Sequence, residues 1–207
     1  MGIRQLETPA AFRRPAEKRW DETDPVTGGF VAANAFVTGV NWSYSLDGQG
    51  TLLVNEDGAP PVRRRDCSDT DFDCNFWLGD AILVADDPTP DSDLLQAPIR
   101  LKFSPGVRAV GAWLGACSSD PFDQDFFDQP MFGAMWVALA SDPAAWHLVR
   151  ADGWSGHVCG VGTPLTAPFV GARATAGDRI IEARFDLSLL GNRGYDKIAL
   201  SELTVEL

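Results

Sequence analysis

Apolar and polar residues alternate along most of this chain in short runs with a period of two, separated by turn-forming residues. The pattern is plainest over residues 97–114. Ile99, Leu101 and Phe103 alternate with Arg100 and Lys102, giving one apolar and one charged face. Ser104-Pro105-Gly106 reads as a turn, and after Arg108 the run to Leu114 is apolar on both faces, as a central sandwich strand is. The two runs predict a strand pair.

The same pattern recurs on both sides. Residues 30–40 and 41–46 are set off from 51–54 by Asp47-Gly48, a strong hairpin signal. Residues 55–75 read as a polar connection containing Asp57-Gly58, Pro60-Pro61 and Arg63-Arg64-Arg65, and the strand pattern resumes over 76–84. The apolar run 131–140 is too short to cross a membrane and predicts a buried strand. Further strands are predicted over 146–151 (ending in an Asp152-Gly153 turn), 157–161, 169–172, 179–187 and 197–207. This succession predicts an all-β fold, an antiparallel β-sandwich of jelly-roll type, over residues 26–207. Residues 1–25 look separate. Pro9, Pro15 and Pro25 punctuate them, and Thr8 with Pro9 predicts the start of a short helix over 10–20. This N-terminal arm is expected to pack on the sandwich or stay mobile, and offers a route to an oligomer by reaching a neighbouring copy.

Composition narrows the function. The 207 residues carry a net charge of −12, which argues against nucleic acid and against an anionic membrane surface. It suits a soluble secreted protein or one that binds cations. No apolar run approaches the ~20 residues of a membrane-spanning helix. Residues 1–15 have no apolar signal core, so an exported form is expected to have lost its leader. The four cysteines, Cys67, Cys74, Cys117 and Cys159, allow three pairings. Cys67 with Cys74 across a short acidic loop, leaving Cys117 with Cys159, is the economical arrangement. A four-cysteine zinc site, which would favour close CxxC pairs, and buried thiols are the competing readings.

A series of blocks carries a resemblance. Gly79-Asp80 precedes a strand; Pro98 to Phe103 and Val107 to Ala112 follow; then come Ala151-Asp152-Gly153, Ala167-Pro168-Phe169-Val170-Gly171, Ile180 to Phe185, and Ile198 to Thr204. Over residues 76–207 this order resembles the jelly-roll ectodomains of bacterial envelope proteins of the PEP-CTERM type. The resemblance implies a β-sandwich in the extracellular space or cell envelope, related in shape to carbohydrate-binding modules. This chain differs from that group in ending on a strand without a sorting helix and basic tail, in its four cysteines and in its N-terminal arm.

Several residues are candidates for chemistry. Asp69, Asp71 and Asp73 have the alternate spacing of a calcium loop, with Asp80 at the twelfth position, so hard oxygen ligands can converge on Ca²⁺. Cys74 stands where an EF-hand has glycine, and a solvated acidic loop is the plainer reading. The aspartates at 86–93 and 120–128 fit turn formation. Only two histidines occur, His147 and His157, and Gly153-Trp154-Ser155-Gly156 is not a nucleophile elbow. Glycosidase carboxylates are not locatable among 29 acidic residues. Among Trp42, Tyr44, Trp77, Trp113, Trp146 and Trp154, core packing is the general expectation. Trp154, between Gly153 and Ser155 in an expected loop, is the candidate for an exposed ligand-binding ring.

The function read from these residues is a non-catalytic binding or structural module whose ligand is a carbohydrate or another envelope partner. A self-assembling matrix subunit and a glycan- or ester-directed hydrolase are the alternatives. Calcium held by the Asp69 loop would raise the melting temperature on titration; identical melts with Ca²⁺ and with chelator would exclude that site.

Overall fold

The computed structural model describes residues 2–18, 20, 43–45, 50–56, 62–67, 72, 75–76, 80–86, 98–117, 130–154, 166–187 and 197–207. Two antiparallel sheets pack face to face, the sandwich that the alternation predicts. One sheet runs in the order β1 (Ile3–Leu6), β11 (Phe169–Ala174), β8 (Ala109–Cys117), β13 (Lys197–Glu206), β6 (Ala81–Asp86), β5 (Val62–Asp66), with β2 (Ala16–Lys18) also on β13. The other runs β10 (Asp142–Trp154), β9 (Pro130–Leu139), β12 (Ile180–Leu187), β7 (Ile99–Val107), β4 (Thr51–Val54), β3 (Ser43–Ser45). Alternate residues of both sheets meet between them. Leu101, Val137, Ala183 and Phe185 of the six-stranded sheet and Val110, Leu114, Leu200 and Val205 of the seven-stranded sheet lie in one fully buried cluster. At ~25 cal/mol per Å² of apolar area removed from water, this layer dominates the folding free energy.

Residues 97–114 form two strands, but not a pair. β7 lies in the six-stranded sheet and β8 in the seven-stranded one, so the chain changes sheets at Arg108, whose N–H donates to the Glu206 carbonyl at 2.7 Å. Ser104-Pro105-Gly106 continues β7 instead of turning. A Cβ at Gly106 would stand 2.9 Å from the Ile180 carbonyl oxygen, so the glycine serves the close approach of β12. The second run meets its expectation: β8 lies between β11 and β13, with Val110, Ala112, Leu114 and Ala116 fully buried. Asp152-Gly153 is likewise not a turn. It continues β10 opposite Phe132 and Met131, and a Cβ on Gly153 would come 2.3 Å from the Pro168 ring. The hairpin expected around Asp47-Gly48 is consistent with β3 and β4, which pair antiparallel. The polar connection 55–75 contains a strand that the sequence pattern hid, β5, because Arg63, Arg64 and Arg65 mask its alternation; Val62 and Arg64 are buried. The predicted strands over 30–40 and 157–161 lie outside the described residues.

The N-terminal segment belongs to the sandwich. β1 forms an edge strand on β11, and β2 pairs with the end of β13. The helix predicted over 10–20 is replaced by a 3₁₀ turn at Pro9–Ala11 followed by β2. Pro15 removes an N–H donor within that span, and pairing with an open stretch of β13 supplies the backbone bonds that a short helix would have supplied. Trp20 is fully buried, and its indole N–H donates to the Ser201 carbonyl at 2.7 Å. Ser201 sits where the β13–β8 register shifts, between Leu200 and Leu203, so the indole serves a carbonyl at a break in the ladder.

Two clusters cover parts of the outer face of the seven-stranded sheet. Phe12 stacks edge-on against Phe169 with centroids 6.0 Å apart, joining Leu6 and Ala109 in a small cluster. Cys67, Phe72 and Phe76 pack over Ile82, Val84 and Ala199. Glycines on β8 make room for these rings. A Cβ on Gly111 would come within 2.5 Å of the Phe169 ring, and one on Gly115 within 2.9 Å of Phe76. Glu206 ties the N-terminal cover down. Its Oε2 accepts from the Arg13 backbone N–H at 2.8 Å and from the Arg173 guanidinium at 2.5 Å, and Arg173 also donates to the Ala11 carbonyl at 3.1 Å. Burial pushes the Glu206 carboxyl up, but the Arg13 N–H and the Arg173 charge outweigh it and hold the group below the usual carboxylate range.

Two predictions follow from these ties. Trp20→Phe keeps an aromatic ring but removes the pyrrole half of the indole with its donor to the Ser201 carbonyl, and is expected to cost about 1–3 kcal/mol in urea unfolding. Trp20→Ala is expected to cost about 3–5 kcal/mol; a loss under about 1 kcal/mol would show that Trp20 does not support the core. Because the folded-state pKa of Glu206 is depressed, its ionisation stabilises the fold above the unfolded pKa, and that contribution fades as pH falls through the folded value. The stability gap between wild type and Glu206→Gln should therefore be widest at neutral pH and close on acidification; a constant gap would refute the linkage.

Candidate functional site

The outer face of the six-stranded sheet is organised differently from the covered one. Its outward residues fall into cross-strand rows set by the register. In the first row, Trp146 of β10 lies opposite Ala138 of β9, Ala138 opposite Glu182 of β12, Glu182 opposite Lys102 of β7, and Lys102 opposite Leu53 of β4. In the second, Leu148, Trp136, Arg184 and Arg100 follow one another across the same strands. In the third, Arg150 faces Ala134, which faces Asp186. Ala134 and Ala138 flank Trp136 along β9, so the large ring stands between two small side chains. That spacing leaves a hollow of about 390 Å³ lined by Pro98, Trp136, Trp146, Arg184 and Asp186.

The aromatic groups of this face keep much of their surface in water. Trp146 is 37% exposed and Leu148 41%, and Trp136 is half-buried. The Arg184 guanidinium carbon lies 3.9 Å from the Trp146 ring centroid, a cation–π contact, and its Nε donates to Glu182 at 3.1 Å. Asp186 accepts from the Leu187 N–H at 2.7 Å. Beside the hollow, Lys102 pairs with Glu56, and Arg100 and Glu182 complete a second, charged depression. Asn55 holds the β4 end of this region: its Oδ1 accepts from the Arg100 N–H at 2.6 Å and its Nδ2 donates to the Pro98 carbonyl at 3.3 Å. The result is a firm sheet surface with two tryptophans, an arginine and a carboxylate around one depression.

Of the sequence candidates, the structure describes Asp80, Cys67 and the backbone of Trp154, none of which lines this hollow. Trp154 is the last residue of β10, paired with Pro130, and not a loop residue; its backbone lies at the far end of the strand from Trp146. Asp80 stands just before β6, where its carboxylate accepts from the Ser201 hydroxyl at 3.3 Å and its carbonyl from the Cys67 N–H at 2.8 Å. Asp69, Asp71 and Asp73 lie outside the described residues. Among the described residues, no three His, Cys, Asp or Glu side chains converge as a metal site. Cys67 is buried and its Sγ donates to the Phe72 carbonyl at 3.2 Å; its expected partner Cys74 lies outside the described residues. Cys74, Cys159 and the Cys117 side chain lie outside the described residues. His147 sits across from Val137, on the opposite side of β10 from Trp146; His157 and Ser155 are outside the described residues.

From the sequence, Trp146 is one of several rings that could form a sugar-stacking platform but are more often core, and Trp136 is not singled out. The run 131–140 is apolar at nearly every position, so alternation cannot say which residues face outward. The usable signal was size, with Ala134 and Ala138 two positions either side of Trp136. Trp113, also expected in the core, is 37% exposed on the other sheet, where it packs edge-on against Phe169 with centroids 5.3 Å apart.

No known family model, curated protein or solved structure matches this chain. No helix among the described residues is long and apolar enough to cross a membrane.

Proposed function

We propose that this protein is a non-catalytic carbohydrate-binding module of the extracellular space or cell envelope, and that it takes its ligand on the outer face of the six-stranded sheet. One observation carries the reading. Trp136 and Trp146 line a single hollow with Arg184 and Asp186, on the sheet face that among the described residues carries no covering cluster like those on the other sheet. Sugars present apolar C–H faces and a fringe of hydroxyls. They are matched by aromatic rings held in one place, with charged and polar groups at the rim to fix orientation. A sheet supplies such rings at low entropic cost, because the strands already fix their backbones. The extracellular setting comes from the sequence resemblance to envelope ectodomains. Assembly through the N-terminal arm has less to recommend it, since β1 and β2 are already paired within the chain.

The test is affinity electrophoresis and calorimetry against a panel of soluble polysaccharides. Trp136→Ala and Trp146→Ala should each weaken binding at least about tenfold, the usual consequence of truncating an aromatic anchor. Trp113→Ala, on the opposite sheet, should leave binding unchanged. Undiminished binding by the Trp136→Ala/Trp146→Ala double variant would remove the site, and binding of no glycan would remove the function.

A further inference from the structure

The hydrogen-bonding capacity of the open face is lopsided. Its carboxylates are engaged: Glu182 accepts from Arg184, Glu56 pairs with Lys102, and Asp186 accepts from the Leu187 N–H. Its donors are not. Arg184 uses only Nε, and among the described residues its four terminal N–H donors make no hydrogen bond. The indole N–H groups of Trp136 and Trp146 and the Arg150 guanidinium are likewise unused among the described residues. Arg184 also stands directly across from Arg100 on β7. Like charges facing each other across a strand pair are unfavourable unless something negative lies between or beside them. Here Glu182 answers Arg184 at Nε, and Asp186 shares the hollow with it.

We infer that the sugar chain bound on this face carries an isolated oxyanion, a uronate carboxylate or a sulfate ester, seated on Arg184 beside Trp136. This rests on the glycan reading of the same face and specifies its ligand class. The guanidinium is well suited to the role. Its planar fork of terminal N–H groups matches two oxygens of a carboxylate or sulfate, and the Trp146 ring beneath it together with Glu182 at Nε fixes its orientation. The neighbouring indole is left to take the apolar face of the sugar. The net charge of −12 sets the density of acid groups that can be tolerated. A closely spaced polyanion would meet the summed repulsion of the whole chain, whereas one acid group per several sugars meets chiefly the local arginine, within a screening length of ~8 Å at physiological salt.

The experiment compares matched polymers. Calorimetry is run on the full chain with sparsely acidic glycans, glucuronoxylan for carboxylate and a lightly sulfated galactan for sulfate, each beside its carboxyl-reduced or desulfated form, and with neutral glucans and mannans. Wild type should bind one acidic polymer at least about tenfold more tightly than its neutralised partner, the scale of a charge-assisted hydrogen bond. Which pair shows the difference identifies the oxyanion. Arg184→Gln should abolish the difference, and Arg184→Lys, which keeps the charge and loses the fork, should restore part of it; melting curves of both variants check that the sheet is intact. Equal binding to acidic and neutralised polymers, or a difference that survives in Arg184→Gln, would overturn the inference while leaving a Trp136-dependent neutral glycan site standing. Binding of no polymer in the panel would overturn both.

Discussion

The asymmetry of this sandwich depends on close packing along the outer face of β8. Gly111 and Gly115 replace side chains with space, and the Phe169 and Phe76 rings lie in that space. Two separate stretches of chain can then close over the seven-stranded sheet. One is the N-terminal segment through Leu6 and Phe12, the other the segment through Cys67, Phe72 and Phe76. A branched side chain at Gly111 would meet the Phe169 ring well inside van der Waals contact, and overpacking of this kind costs on the order of 1–3 kcal/mol. Among the described residues these covers take up much of that face, whereas Trp146 and Leu148 on the outward side of the six-stranded sheet stay exposed.

The covers are fastened at the C-terminal strand. β13 pairs with β6 over its first half and with β2 over its second, and the exchange takes place at the register shift that Trp20 services through the Ser201 carbonyl. A few residues further on, Glu206 gathers the Arg13 N–H and Arg173. Arg108, where the chain crosses from one sheet to the other, donates its N–H to the carbonyl of the same residue. One residue of β13 therefore meets the sheet crossing, the N-terminal cover and Arg173 of β11. A buried carboxylate in that position is tolerable because the Arg13 N–H and the Arg173 guanidinium answer its charge.

Much of the fold is legible in the sequence where one strand face is wet. β12, with Ala183, Phe185 and Leu187 inward and Glu182, Arg184 and Asp186 outward, is read directly from alternation, and β4, β11 and β13 are found in place. Legibility fails where a different physical demand uses the same letters. Gly106 and Gly153 look like turn residues but serve close backbone approaches, and the arginines of β5 look like a loop. Sheet membership is less legible still. Whether β8 pairs with β7 or with β11 depends on contacts distant in the chain, and nothing local to residues 97–114 encodes it. The candidate site fails for a related reason. Its two tryptophans sit in apolar surroundings that read as core, and only the cross-strand register shows that both point outward. The acidic loops and the Gly-flanked Trp154 drew notice because unusual local spacing is visible in one dimension, whereas a face assembled from four strands is not.

The open face is also a poor candidate for a purely structural role. Trp146 and Leu148 lie on β10, the terminal strand of the six-stranded sheet among the described residues, and their exposure forgoes burial that a stabilising pair would gain. Alanines at 134 and 138 fit the same view. Larger apolar residues there would fill the hollow around Trp136 and bury more of the ring, as a sheet built only for stability would favour. Instead the rings are held by a cation–π contact and by small neighbours, an arrangement that fixes their orientation without covering them. Rings that are held in place yet remain hydrated retain their desolvation free energy for a ligand. That physical property separates a binding platform from a core, and on this sheet it is found together with unused donors.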